Sequence, residues 1–248
     1  MLTTTLPRIL FLDIETVSTE KTYSELSPVM QELWEMKAKY WLQAVEADKK
    51  ADALQDIYLQ KAGIYAEFGK IVCISVGLIF LEDSNIHSFR LKSFSGDNEA
   101  EILTNFAELL EKYYPDIDNS YLCGHNIKEF DVPYISRRMI INKITLPALL
   151  NISDKKPWET KFLLDTLDMW KFGDYKHYTS LRLLAQILGI PSPKDDIDGS
   201  EVGSVYWEEN DIDRITAYCE KDVKTTAQVF LALKGMDLIP DEKIILSE

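Results

Sequence analysis

The stretch Arg8–Thr16, RILFLDIET, decides how the rest of the chain is read. Ile9, Leu10, Phe11 and Leu12 form a continuous apolar run, which predicts a central strand buried on both faces. That strand is expected to end where charge appears, at Asp13 and Glu15. Side chains along a strand alternate faces, so the two acids leave the backbone on the same side and their carboxylates meet. Like charges held together out of water repel, and a hard cation such as Mg²⁺ or Mn²⁺ relieves the repulsion. Fold and chemistry both turn on whether other acids of the chain reach the same point.

With 248 residues, 46% of them hydrophobic, the chain suits one large domain over residues 1–248, carrying an insertion and a sizeable core. It contains no run of roughly 18 apolar residues, so no membrane span is expected. Only MLTTTLP precedes the first strand, too short and uncharged for a signal peptide, which points to the cytoplasm. Cys73, Cys123 and Cys219 are widely spaced and odd in number, and read as reduced core thiols rather than a disulfide framework or a zinc site. The net charge of −14 is unlike that of most proteins that grip nucleic acid through Lys and Arg. Its distribution is uneven. Residues 1–131 hold 12 basic and 22 acidic side chains and residues 183–248 hold 6 and 14, whereas residues 132–182, from Arg137 and Arg138 through Lys176 to Arg182, hold 9 and 5. That stretch reads either as ordinary solvated surface or as a patch that tracks phosphates.

After the first strand the composition changes. Between Ser18 and Phe68, Met30, Leu33, Trp34, Ala38, Trp41 and Val45, then Leu54, Ile57 and Tyr58, recur at helical spacing, predicting a long helix or helical hairpin inserted over about residues 18–68. It either packs an aromatic stripe on the core or walls the substrate cleft, since it leaves directly from the acidic strand. Lys70–Phe80 and Ile86–Phe94 predict an antiparallel hairpin. A helix over 97–114 follows, with Ser95 or Asp97 as its N-cap. Then come a short strand at Ser120–Gly124, a helix from about Val132 to Ile141, a strand at Phe162–Leu167, and a helix at Leu181–Leu188 stopped by Gly189 and Pro191. The last helix runs from Asn210 or Asp211 to Leu233. This order predicts an α/β fold with a mixed five-stranded sheet, three antiparallel strands followed by parallel ones, and helices on both faces. In such sheets ligands bind beyond the carboxyl ends of the strands.

Two later segments offer acids. In Cys123–Ile135, CGHNIKEFDVPYI, a strand ends at Gly124, a polar turn follows, and Asp131 opens a helix, as a site acid or as a simple cap. Asn126 in the turn can hydrogen-bond a phosphate or sugar without adding charge. In Ala217–Thr225, AYCEKDVKT, Tyr218 and Asp222 are four apart and share a helix face, while Glu220 and Lys221 read as solvated charges.

DIET at 13–16, GHNxxxFD at 124–131 and YxxxD at 218–222, in this order, resemble the three exonuclease motifs of the DEDD superfamily in its tyrosine branch. The histidine branch carries His five residues before the last Asp, where this chain has Ala217. EFGKIVCISVG, LLDTLDMW and DGSEV further resemble free-standing relatives of the family B DNA polymerase proofreading domain. The resemblance implies a ribonuclease H-like fold and 3′-to-5′ hydrolysis of single-stranded nucleic acid, DNA favoured over RNA, with two divalent ions, Mg²⁺ or Mn²⁺. Two cations about 3.5–4 Å apart can both activate a water and neutralise the leaving oxygen. Asp13 is expected to bridge them, Glu15 and Asp222 to complete the first, and Asp131 to hold the second. Tyr218 is expected to orient the attacking water, because a phenol's ordinary pKa of about 10 makes it a poor base near neutrality.

Thr16 and Asn126 are expected to contact the terminal nucleotide, and Asp165 is either near the site or structural. Lys194 and Ser200 lie in the loop PKDDIDGSE, whose four acids weigh against direct phosphate contact. His125 reads as a turn-packing residue, and His87 and His177 carry no motif. The Trp-rich insertion is the expected surface for a protein partner or self-association. Two other classes compete: a phosphatase with an aspartyl nucleophile, which wants Asp at position 15, and a non-catalytic binding module, which predicts the loss of at least one acid.

Overall fold

The computed structural model describes residues 5–174, 178–191 and 196–247; Lys176, His177 and Lys194 lie outside the described residues. In chain order its strands are β1 (Ile9–Ser18), β2 (Gly69–Glu82), β3 (Asn85–Ser95), β4 (Tyr121–Gly124), β5 (Leu163–Asp165) and β6 (Ile244–Leu246). Its helices are α1 (Pro28–Ala38), α2 (Lys50–Lys61), α3 (Glu99–Tyr113), α4 (Asp131–Ile141), α5 (Thr166–Lys171), α6 (Leu181–Ile187), α7 (Val202–Ser204) and α8 (Ile212–Leu233). The sheet order is β5-β4-β1-β2-β3-β6, with β1, β2 and β3 antiparallel and the remaining pairs parallel. Six strands replace the five expected. The extra one is the apolar triplet Ile244–Leu246, which pairs with Phe89–Leu91 and is too short for alternation to announce it.

A second departure bears on the site. β1 does not end at its acids but runs on to Ser18, paired with β2 through Ser18–Gly69 and bulged between Glu15 and Thr16. Its pairing with β4 stops at Phe11–Cys123. Asp13 and Glu15 therefore sit in a strand hydrogen-bonded on one side and open on the other. β2 pairs the backbone on one edge, and on the edge that β4 leaves open the Ile14 N–H donates to Asp131.

Alternation along β1 divides the core. Leu10, Leu12 and Ile14 join the cluster beneath α3 and α4, built around Ile102, Phe106, Val132 and Ile135. Ile9 and Phe11 join Val223, Ala227 and Phe230 of α8 on the other face, where Phe11 meets Phe230 edge-on at 5.7 Å. α8 lies close to the sheet because Gly77 has no side chain: a Cβ there would stand 2.3 Å from the Phe89 ring and 2.9 Å from Val223. Asp211 caps α8 by accepting from the Arg214 N–H, and Asn98, rather than Ser95 or Asp97, caps α3. Gly189 and Gly235 follow α6 and α8 with φ of 69° and 64°, the left-handed conformation that glycine adopts at low cost after a helix. No helix among the described residues is long and apolar enough to cross a membrane.

The insertion closes its aromatic stripe on itself. Trp34 of α1 is fully buried against Tyr58 of α2 at 5.4 Å and Phe68 at 5.0 Å. Among the exposed apolar side chains of this segment, Val29, Leu33, Met36 and Tyr40 are spaced along one face of α1 and the turn after it, and Leu59 and Ile64 lie at its far end. The segment is tied to the body by Gly63, whose carbonyl accepts from Thr16 Oγ1 and Tyr134 Oη, both at 2.8 Å.

Arg138 is not part of any surface patch. It is buried, donates to both carboxylate oxygens of Glu99 at 2.8 and 2.6 Å, and also donates to the Ala66 carbonyl. Glu99 in turn accepts from the Ile71 N–H and from Asn142, so α3, α4, β2 and the end of the insertion meet at one ion pair. Removing one partner strands a buried charge. Glu99→Ala is therefore expected to cost about 3–5 kcal/mol of stability by denaturant titration. A loss under about 1 kcal/mol would show that this brace carries little.

Candidate active site

Asp13 and Glu15 continue the row of Ile9 and Phe11 towards α8, and there they meet a thiol. Cys219 Sγ lies 3.4 Å from the Asp13 carbonyl and 3.5 Å from its Oδ2. One ligand atom from each of Asp13, Glu15 and Cys219 lies within 4.8 Å of the others. Burial, reinforced by Cys73 beside it, pushes the Cys219 thiol well up, so it remains a protonated donor to Asp13. Hard divalent cations prefer carboxylate oxygen, and the thiol is an unsuitable ligand for them.

Glu15 is 7% exposed and Asp131 3%. Burial raises the Asp13 carboxyl well above the usual carboxylate range, and Asp131, Glu15 and Asp222 add to the rise in that order. Glu15 is likewise raised by burial and then by Asp222, Cys73 and Asp131. The acids of β1, α4 and α8 thus act on one another. Asp131 opens α4 and accepts from its own N–H and from that of Ile14, which fixes the helix start to the middle of β1; burial nevertheless pushes its carboxyl up to about 7. Tyr218 is half-buried against the cluster that includes Val17 and Cys219, one helical turn before Asp222.

Asp165 is structural. Its carboxylate, 2% exposed, accepts from the backbone N–H of Asn126, Lys128 and Leu167 at 3.0, 3.2 and 2.9 Å, so the end of β5 clamps the turn after β4 and caps α5. Asn126 is held in the left-handed region at φ 67°. His125 spends both ring nitrogens, Nε2 on the Thr179 carbonyl and Nδ1 on Thr166 Oγ1, each at 2.9 Å, and burial lowers its pKa. A carbonyl can only accept, so Nε2 carries the proton. Thr16 faces a cavity beside Glu15, but its hydroxyl proton is committed to Gly63. Glu220 is not a free solvated charge: it accepts from Ser93 Oγ at 2.8 Å.

One aromatic residue escapes the motifs. Tyr178, 66% exposed, stands edge-on to His125 at 6.2 Å; its phenol is raised by partial burial and then by Asp131, Asp13, Asp165 and Asp222. It therefore borders the acids, and no periodicity marks it. Cys219 was legible only as a core position of α8.

A family model described as "Predicted 3'-5' exonuclease related to the exonuclease domain of PolB" matches residues 64–241, a span that contains Asn126, Asp131, Tyr218 and Asp222 and begins after Asp13 and Glu15. Among solved structures, the chain is similar to the family B DNA polymerase from the hyperthermophilic archaeon Pyrobaculum calidifontis, with a TM-score of 0.53 and 14% identity over 91% of this chain and 25% of the polymerase. The chain thus spans about a quarter of that polymerase's length, and a likeness at this identity bears on the fold alone, a ribonuclease H-like α/β arrangement. None of the curated proteins matches the chain.

The Asp131 carboxyl sets a pH dependence. Its folded pKa, about 7, lies above the ordinary 3.8, so its protonated form contributes stability below about pH 4 that is lost as pH rises through 7. Asp131→Asn keeps the shape without the charge. At pH 8 in chelator it is expected to melt roughly 5 °C above the wild type, and within about 1 °C of it at pH 4. Equal melting at pH 8 would remove the electrostatic strain inferred for this cluster.

Proposed function

The chain belongs to the family of predicted 3′-5′ exonucleases related to the exonuclease domain of PolB, and we propose that it hydrolyses the last phosphodiester bond at the 3′ end of single-stranded nucleic acid using two divalent cations, Mg²⁺ or Mn²⁺. The observation that carries this reading is the convergence of Asp13 and Glu15 of β1 with the acids of α4 and α8, where burial first and then the neighbouring Asp131, Glu15 and Asp222 raise Asp13 well above the usual carboxylate range. Carboxylate oxygens so crowded fit hard cations. Asp13 would touch both ions, Glu15 and Asp222 would complete the first site, and Asp131 the second. Bound there, divalent cations supply charge neutralisation for a phosphodiester and its leaving oxygen.

The remaining roles belong to the chain itself. Tyr218, one turn before Asp222, positions the attacking water. Asn126, held by Asp165, presents an amide to the sugar or phosphate without adding repulsion. The preference for DNA over RNA rests on the relation to the PolB exonuclease domain.

Three measurements follow from these roles. With 5′-labelled strands, the purified protein should shorten single-stranded DNA from its 3′ end in Mg²⁺ or Mn²⁺ and do nothing in excess chelator, and RNA should be cut more slowly. Asp222→Ala should lower kcat/KM by about a hundredfold or more; a fully active variant, or activity in chelator, overturns the metal assignment. Because the net charge is −14, few phosphates are held, and oligonucleotide binding in the Asp222→Ala variant should weaken only gently with salt. A steep slope means an extended phosphate track.

A further inference from the structure

A cavity of about 530 Å³, the size of an ordinary small-molecule pocket, lies on the α3 face of the sheet, opposite the face that carries Asp13 and Glu15. Strand register makes its floor. Leu10 of β1 pairs with Leu78 of β2 and Leu78 with Arg90 of β3, while alternation puts Val76 and Phe80 on the same side as Leu78. Leu109 and Tyr113, one turn apart on α3, form a wall. The charge of this cavity is the reverse of the chain's. In a protein with 41 acidic and 27 basic side chains, Arg8, Arg90 and Lys92 line it, with no Asp or Glu among the described lining residues. The Arg90 guanidinium stands 4.4 Å from the centre of the Phe80 ring, which holds it at the border of the apolar floor, and Arg8 Nη1 donates to Asn119 Oδ1 at 2.5 Å. The Asn119 amide also donates, at 2.7 Å, to Asp116, which stands outside the lining. Both ends of that amide are engaged, so it is not available to read the polar edge of a base.

We propose that this cavity binds a medium-chain organic monocarboxylate, its chain laid over Leu10, Val76 and Leu78 beside α3 and its carboxylate met by the Arg8 and Arg90 guanidinium groups. A guanidinium offers a planar fork of donors that matches a carboxylate, and at the edge of an apolar floor the pair is shielded from water on one side. The floor supplies the rest, since each methylene withdrawn from water favours binding. A cationic head would meet like charge, and a nucleotide would leave the edge of its base without partners. Leu10 and Asp13 point to opposite faces of β1, so ligand and acids occupy separate sides of the sheet, and the site stands whether or not the chain is an exonuclease.

The test follows the amide chemical shifts of the labelled full chain by NMR as octanoate, octan-1-ol, octylammonium or adenosine monophosphate is added, each below the concentration at which it self-associates. Octanoate should shift the amides of Leu78, Arg90 and Tyr113 and bind about tenfold or more tightly than octan-1-ol, and the other two should bind more weakly than octanoate. In Arg8→Gln/Arg90→Gln the affinity for octanoate should fall about tenfold and its advantage over octan-1-ol shrink to under about twofold. Both side chains are exposed, so the melting temperature of this variant should stay within about 2 °C of the wild type. Octan-1-ol binding as tightly as octanoate, shifts confined to other parts of the chain, a stronger response to adenosine monophosphate, no response to millimolar octanoate, or a folded double variant with wild-type affinity would each overturn the proposal. The comparison of head groups in the wild type decides it even if the double variant fails to fold.

Discussion

Repulsion between carboxylates held out of water is the constraint around which this molecule is arranged. Each buried charge costs several kcal/mol unless something compensates it, and here three elements distant in sequence deliver acids to one place. Asp13 and Glu15 come from β1, Asp131 from α4 and Asp222 from α8, and Asp13 is raised by all three of the others, Glu15 by Asp222 and Asp131. Such an arrangement persists only if the surrounding structure leaves the acids no alternative position. The two hydrophobic clusters on either side of β1 provide that, since Leu10 and Leu12 are locked beneath α3 and α4 while Ile9 and Phe11 are locked beneath α8. Slipping β1 by one residue would turn the acids towards α4 and every apolar neighbour to the wrong face.

Hydrogen bonds refine what the core determines. The Ile14 N–H reaches Asp131, Cys219 reaches Asp13, and Asp165 gathers the backbone N–H groups of the turn that carries Asn126. The last of these is a carboxylate in the same neighbourhood put to a different use. Asp165 is compensated by neutral backbone donors, whereas Asp13 and Glu15 have mostly one another. Asp131 stands between the two, fixed by its own N–H and that of Ile14 yet raised by its burial.

Much of this was legible in the sequence because it follows from local rules. The apolar run ending in DIET, the hairpin of β2 and β3, and the amphipathic stripes of α3 and α8 each declare themselves by periodicity. What escaped has physical reasons. The continuation of β1 past its acids depends on β2 for pairing, a non-local fact that a charged residue hides. β6 is three residues long, below the length at which alternation means anything. Arg138 looked like surface because nothing near it in sequence foretells Glu99, 39 residues earlier. Asp165 could not be sorted into frame or site without its partners, and Glu220 read as solvated because nothing near it in sequence foretells Ser93. Tyr178 owes its place to a loop rather than a repeat.

The insertion is held together apart from the main core. By folding Trp34, Tyr58 and Phe68 into a small core of its own, the segment packs as a unit, and the Gly63 carbonyl joins it to β1 and α4 through two hydrogen bonds. The Arg138 guanidinium anchors the same segment at the Ala66 carbonyl while pairing with Glu99, so the insertion is tied to α3 and α4 as well. Insertion and acids are thus held by different contacts, the insertion through the carbonyl oxygens of Gly63 and Ala66 and the acids through Cys219, the Ile14 N–H and their own burial.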